Sequence, residues 1–254
     1  MKVVILAGGL GTRISEESDH KPKPMIEVGG KPLLWHIMKH YSHYGFNEFI
    51  VCAGYKAEVI KEYFHHYYLY NADTTFNLEK NSVHHHASTA EPWKVTVVDT
   101  GLNTMTGGRV KKVQKYIGDG PFLLTYGDGV SDVDIHASIR DHIAEGRVVT
   151  LTAIQTAGRF GSVEIGEGNK ILTFKEKIQG DGAWINGGFM VCEPSIFEYI
   201  NGDEMLERGA LERIANAGKL GAYKHTGFWQ PMDTLRDKNE LEKLWNSNPP
   251  WRVW

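Results

Sequence analysis

The sequence predicts an α/β fold: a Rossmann-like mixed, mainly parallel sheet with helices on both faces. Three observations carry that expectation. A β-branched run, Lys2 to Ala7, ends at Gly8-Gly9. Short apolar runs then alternate with helical spacing, and further strand-like runs recur as far as His225 without an internal repeat, low-complexity tract or linker. Strand, helix, strand, helix at these lengths means βαβ units on a parallel sheet. At 254 residues the chain fits one compact domain.

Taken in order, Lys2 to Ala7 is a buried strand that delivers a glycine-rich turn. Leu33, Leu34, Ile37, Met38 and Tyr41 recur at helical spacing, with Gly45 after the last turn. Glu48 to Ala53 reads as the next strand, and Val59, Ile60, Tyr63, Phe64 and Tyr67 as the next helix. Asn71 to Pro92 is polar and reads as an irregular excursion with one edge strand. Val95 to Val98 returns as strand, Gly107-Gly108 introduces a short basic helix through Lys115, and Phe122 to Tyr126 is a further strand ending at Gly127-Asp128-Gly129. Ile135, Ile139 and Ile143 mark another helix. From Val148 the chain is richer in strands: Val148 to Gln155, Ser162 to Ile165, Ile171 to Lys177 and Trp184 to Cys192. Helical segments follow near Pro194 to Ile200 and Leu206 to Ala217, then a strand over Leu220 to His225 and a helix over Leu235 to Trp245.

Composition excludes several classes. Hydrophobic residues at 41% and charged residues at 23% are ordinary globular usage, which excludes disorder and fibrous structure. A net charge of -3 gives no basic excess for nucleic acid, so any anion site must be built locally. Cys52 and Cys192 sit inside apolar runs and read as buried thiols of a reducing compartment. The run from Val3 to Leu10 breaks at Gly8-Gly9 and lacks a cleavage site, and no later run is long enough to span a bilayer. The expectation is a cytoplasmic protein that binds neither nucleic acid nor membrane.

The segment richest in chemistry is Leu6-Ala7-Gly8-Gly9-Leu10-Gly11-Thr12-Arg13, followed by Lys21-Pro22-Lys23-Pro24-Met25. Glycines just past a strand let backbone N–H groups approach a polyphosphate, and Arg13 and Lys23 bring charge. Ile14 stands where a dinucleotide fingerprint needs glycine, and the Gly-Lys-Ser/Thr of a Walker loop is missing. Two prolines stiffen the backbone around Lys23, an arrangement for a positioned cation. Asp128 falls at a strand end, where open α/β sheets bind ligands; taken alone it reads equally well as a turn residue beside glycine. The run His84-His85-His86 lacks the spacing of a zinc site and reads as a polar loop. Surplus aromatics at Tyr63, Phe64, Tyr67, Tyr68 and Tyr70 suggest a subunit contact, and Trp245, Trp251 and Trp254 a tail that docks.

Gly-Gly-x-Gly-Thr-Arg with Lys-Pro-Lys-Pro-Met resembles the sugar-1-phosphate nucleotidyltransferases. The resemblance runs over essentially the whole chain, through Thr125-Tyr126-Gly127-Asp128-Gly129, Gly158-Arg159-Phe160-Gly161, Ile185-Asn186-Gly187-Gly188-Phe189 and Gly227-Phe228-Trp229-Gln230-Pro231-Met232-Asp233-Thr234. Within that family the last two strings are similar to the branch whose substrates are CTP and glucose 1-phosphate. The resemblance implies a nucleotide-binding half over about 1–147 and a sugar-binding half over about 148–254. It implies a nucleotide held by Leu6, Gly8, Gly9, Gly11, Thr12, Arg13, Lys23, Thr106, Gly108, Arg109 and Asp128, with Arg13 and Lys23 catalytic. It implies a sugar phosphate held by Tyr126, Gly161, Glu176, Lys177 and Asn186, and Mg²⁺ held by Asp128 and Asp233. Base selection falls on Thr106 to Arg109, and Arg109 keeps two readings, base selector or triphosphate contact. Ile178 departs from the family's proline after Glu176-Lys177, a pair that on its own residues reads as a solvated strand end. The resemblance also implies a homo-oligomer, as large as a hexamer, and products that feed bacterial surface polysaccharides. Other readings of the same residues are a relative using another base or acceptor, a non-catalytic nucleotide-binding module, and a metal-dependent glycosyltransferase, which would lack the glycine turn.

Overall fold

The protein is described here by a computed structural model covering residues 1–11, 14, 20–155, 162–165, 171–175 and 184–254, with 162–165 and 171–175 as backbone only. Strand β1 (Val3–Ala7) is buried throughout. Pro22 and Pro24 then shape a tight 3-10 turn over Lys23–Met25, and the two-residue strands β2 (Glu27–Val28) and β3 (Lys31–Pro32) pair as a small hairpin. Helix α1 (Leu33–His43) buries the stripe that its spacing predicted, together with His36 and His40. It is followed by β4 (Glu48–Ala53) and α2 (Ala57–Tyr70).

The expected excursion after residue 71 is instead a hairpin, β5 (Ala72–Asn77) with β6 (Ser82–Ser88). The three histidines therefore lie in a strand, not a loop. Every residue of β6 is exposed, so no apolar alternation marks it in the sequence; cross-strand bonds from Thr74 to His85 and Thr75 to His86 help set its register. Strand periodicity puts His84 and His86 on one face, ring centroids 4.5 Å apart.

Next come β7 (Lys94–Asp99), α3 (Thr106–Ile117), β8 (Phe122–Tyr126) and the short β9 (Gly129–Ser131). In α4 (Ile135–Glu145) the buried positions are Ile135, Ser138 and His142, while Ile143 is exposed. The helix faces inward through His142, which hydrogen-bonds Thr150 at 2.9 Å and Glu193 at 3.2 Å. The second half contributes β10 (Val149–Gln155), a separate hairpin of β11 (Ser162–Ile165) with β12 (Ile171–Lys175), and β13 (Trp184–Cys192). A 3-10 turn at Pro194–Glu198, α5 (Ala210–Asn216), β14 (Leu220–His225), β15 (Trp229–Pro231) and α6 (Leu235–Trp245) complete it. Helix α5 begins four residues later than its sequence pattern suggested.

The seven-stranded sheet has the order β14-β10-β13-β8-β1-β4-β7. Its pairs are parallel except those made by β13, which runs against its neighbours β10 and β8. Odd and even residues of β1 belong to different cores. Val3, Ile5 and Ala7 pack with α1 and α2, and Val4 and Leu6 pack with α3 and α5. The sheet is therefore covered on both sides, as a parallel sheet requires. The C-terminal tail docks on its own chain: Trp251 is buried, stacked with Phe228 and Trp245, and Trp254 meets Trp35. Tyr63, Phe64 and Tyr67 of α2 likewise pack internally, whereas Tyr68 and Tyr70 are exposed. Cys52 and Cys192 are free and buried, and burial pushes the Cys52 thiol up to about 12.

Candidate active site

The chain steps from β1 to β4 to β7 in one direction, then returns to place β8 on the other side of β1. That reversal opens a crevice beyond the carboxyl ends of β1 and β8, the position at which open α/β sheets bind ligands. A cavity of about 610 Å³ lies there, lined by Leu6, Gly8, Gly9, Gly11, Lys23, Thr106, Arg109, Tyr126, Asp128 and Asp233 among others. Ten of the sequence-predicted residues thus share one cavity. Gly108 is buried in the first turn of α3 behind it. Thr12, Arg13, Gly161, Glu176 and Lys177, and with them Ile178, lie outside the described residues.

The glycine turn is held from behind. Arg109 is buried, and its Nη1 donates to the Ala53 carbonyl, Thr100 Oγ1 and the Gly101 carbonyl, its Nη2 to the carbonyls of Gly8 and Leu102. These acceptors follow or end β1, β4 and β7, so one guanidinium ties three strand ends together. The terminal nitrogens of Arg109 serve the wall of the cavity that it lines, and an arginine can offer no more than five N–H donors. Gly8 is needed for this brace, because a Cβ there would stand 2.1 Å from Nη1 of Arg109.

Opposite the turn, Lys23 Nζ lies 2.9 Å from Asp128 Oδ2 and 2.6 Å from Asp233 Oδ1. Two carboxylates remote in sequence therefore meet at one cation. The device that joins them is the β9–β15 ladder, in which Gly129 faces Pro231 and Ser131 faces Trp229. Asp128 immediately precedes β9 and Asp233 follows β15, and Met232 N–H donates to the Asp128 carbonyl at 2.8 Å. Asp233 is then fixed by the start of α6. Thr234 and Asp237 form a reciprocal capping box, and Asp237 Oδ2 also accepts from the Asp233 N–H at 3.0 Å. Its Thr-x-x-Asp spacing is legible in the sequence and went unread there.

The wall beside Asp128 is shaped by β8 and β13. Asn186 Oδ1 accepts from Gly188 N–H at 2.9 Å, and Trp229 Nε1 donates to the Gly187 carbonyl at 2.7 Å. Gly188 has φ +85, and a Cβ there would stand 2.6 Å from the Tyr126 ring. The Tyr126 hydroxyl donates to Glu207, which also accepts from Thr106 Oγ1. Glu207 carries no local sequence signal, because its partners lie on β8 and α3.

The donor set fits magnesium. Among the described residues no three His, Cys, Asp or Glu side chains are grouped to hold a metal, which leaves Asp128 and Asp233 as a two-carboxylate partial site. Both are hard oxygen donors, the type that magnesium takes, and neither is the Cys or His donor typical of structural zinc; in this structure both contact the ammonium of Lys23.

The fold and this crevice define a class, nucleotidyl transferases. The chain matches that family over residues 2–229 and belongs to it. It is 54% identical to the glucose-1-phosphate cytidylyltransferase of Salmonella typhimurium over 257 aligned positions, with 100% of both chains covered. A D-glycero-alpha-D-manno-heptose 1-phosphate guanylyltransferase of Campylobacter jejuni is 30% identical, covering 78% of each chain. A UDP-glucose pyrophosphorylase solved with UDP-glucose shares the fold with a TM-score of 0.68 at 18% identity, over 96% of this chain and 98% of that one.

Proposed function

We propose that this protein transfers a cytidylyl group from CTP to α-D-glucose 1-phosphate, giving CDP-glucose and pyrophosphate. The observation that carries the reading is full-length similarity at 54% to a glucose-1-phosphate cytidylyltransferase, in a chain whose crevice gathers Lys23, Asp128 and Asp233.

A phosphate-monoester oxygen of the sugar phosphate attacks the α-phosphorus of CTP. The new O–P bond forms as the bond to the β-phosphate bridging oxygen breaks, and pyrophosphate leaves. The attacking group has a second pKa of about 6 and is largely dianionic at neutral pH, so no strong general base is required. The obstacle is electrostatic, since two polyanions must meet. The turn after β1 brings backbone donors close to the phosphates, and Lys23 supplies a fixed positive charge, with Arg13 assigned to the β- and γ-phosphates. Nucleotidyltransferases of this family work with a divalent metal; here Asp128 and Asp233 would hold Mg²⁺, which supplies charge neutralisation and polarisation of phosphate oxygens. Tyr126, Gly161, Glu176, Lys177 and Asn186 bind the acceptor. We assign residues 1–147 to the nucleotide half and 148–254 to the sugar half. We further expect a homo-oligomer, which a monomer mass in light scattering at micromolar concentration would rule out. We assign the protein to the cytoplasm; no described helix is long and apolar enough to cross a membrane.

The test is pyrophosphate release with Mg²⁺ and glucose 1-phosphate, comparing CTP, UTP, dTTP and GTP. Release with CTP well above the others is expected; release with UTP or dTTP but not CTP overturns the base, and none with any nucleotide favours a binding module. Asp128→Asn and Asp233→Asn are each expected to move half-maximal Mg²⁺ activation upward by roughly 10-fold or more. An unchanged metal titration in both variants would contradict the ligand assignment.

A further inference from the structure

Glu207 takes hydrogen bonds from both sides of the crevice. Its Oε2 accepts from Thr106 Oγ1 at 2.8 Å, and its Oε1 accepts from the Tyr126 hydroxyl. Thr106 opens α3 on the side where base selection is expected, Tyr126 ends β8 beside Asp128, and both line the cavity. The Thr106 oxygen also accepts from Leu206 N–H at 2.8 Å.

A hydroxyl has one proton to give. At Thr106 and at Tyr126 that proton goes to a carboxylate, the stronger kind of acceptor. What the Thr106 oxygen has left for a ligand is a lone pair. A threonine is by itself both donor and acceptor, and Glu207, held in turn by the Tyr126 hydroxyl, converts it into an acceptor only.

We propose that Glu207 is a positioning residue that sets the hydrogen-bond polarity of the Thr106 hydroxyl and so favours a base presenting a donor, the exocyclic amino group of cytosine, over one presenting a carbonyl, as uracil does. The inference rests on the CTP reading above. A carbonyl brought against this hydroxyl finds no donor, and sites built to pair a polar group discriminate strongly against its mismatch.

Glu207→Gln tests it with nearly unchanged shape. An amide offers one acceptor and one NH₂ donor group where the carboxylate offers two acceptors, so one hydroxyl must turn its own proton elsewhere. The ratio of kcat/KM for CTP to that for UTP is expected to fall roughly 10-fold or more, with the thermal midpoint within a few degrees of wild type. Thr106→Val and Tyr126→Phe leave Glu207 in place, and at least one should lower the same ratio. A CTP-to-UTP ratio equal to wild type in folded Glu207→Gln overturns the proposal. If that variant does not fold, wild-type ratios in both hydroxyl variants overturn it. A wild-type enzyme that uses UTP as well as CTP is a separate failure, that of the base assignment itself, and is read before any variant is made.

Discussion

Replacing Lys23 with alanine is expected to lower turnover by about 10³-fold while the chain still folds. The magnitude follows from what the side chain is positioned to do. A preorganised cation aimed at developing charge in a partly enclosed crevice acts like an oxyanion donor, whose removal costs on the order of 10²–10³ in rate, and Lys23 carries a full charge. Its side chain is only 13% exposed, and the prolines on both sides keep its backbone in one turn. The stability cost should be far smaller, about 1 kcal/mol, because the partner carboxylates are 41% and 27% exposed and water can screen them. Lys23→Arg separates charge from geometry. The guanidinium can still pair with Asp128 and Asp233, but its planar fork is not a compact ammonium, so it should restore stability and leave turnover at least 10-fold below wild type. Single-turnover kinetics with thermal melts on the three proteins distinguish these terms. Turnover of Lys23→Ala within a few-fold of wild type would remove the lysine from the mechanism.

Why Lys23 could be picked out from the sequence, and Glu207 could not, is a matter of range. The Pro-Lys-Pro run, the glycines after β1 and the spacing of α1 and α2 are local statements, each fixed by a few neighbouring residues. They specified the sheet, its two covered faces and the cation. The meeting of Asp128 with Asp233 is made by two three-residue strands, too short for any alternation to show, and only the resemblance paired them in advance. The β5–β6 hairpin escaped for a different reason: β6 is exposed on both faces, so hydrophobic patterning says nothing about it. The bonds from Arg109 to the carbonyls ending three parallel strands carry no local signal either, because those acceptors come together only when the sheet forms. Glu207 is joined to Thr106 and Tyr126 only by tertiary packing, which no local spacing encodes.

The protein is also expected to lose several kcal/mol of stability between pH 7.5 and pH 5, and the cause lies away from the crevice in α1. His36 and His40 are both buried in the core, and burial pushes each ring down to about 4 from the ordinary 6.5. His36 is wired as a neutral ring: its Nε2 meets the Val28 carbonyl at 2.8 Å, and its Nδ1 accepts from Trp251 Nε1 at 3.4 Å. A second proton would set two donors face to face. At His40 the hydrogen bond to the Val133 carbonyl and the nearby Asp134 favour protonation, and His43 and His225 disfavour it, so burial is not offset. The unfolded chain binds protons at these histidines near pH 6.5, and the folded chain does so only near pH 4. The unfolded state therefore holds more protons throughout that interval, and stability falls as pH falls. Each ring contributes roughly 3 kcal/mol over the full interval, a large share of the 5–15 kcal/mol typical of a domain. Because His40 already packs edge-on against Tyr41, Tyr44 and Phe189, His40→Phe should keep the fold and remove about half of the slope. Urea midpoints at pH 7.5 and pH 5 measure it above the range where most carboxylates titrate; an equal drop in wild type and His40→Phe would mean that the buried ring is not the source.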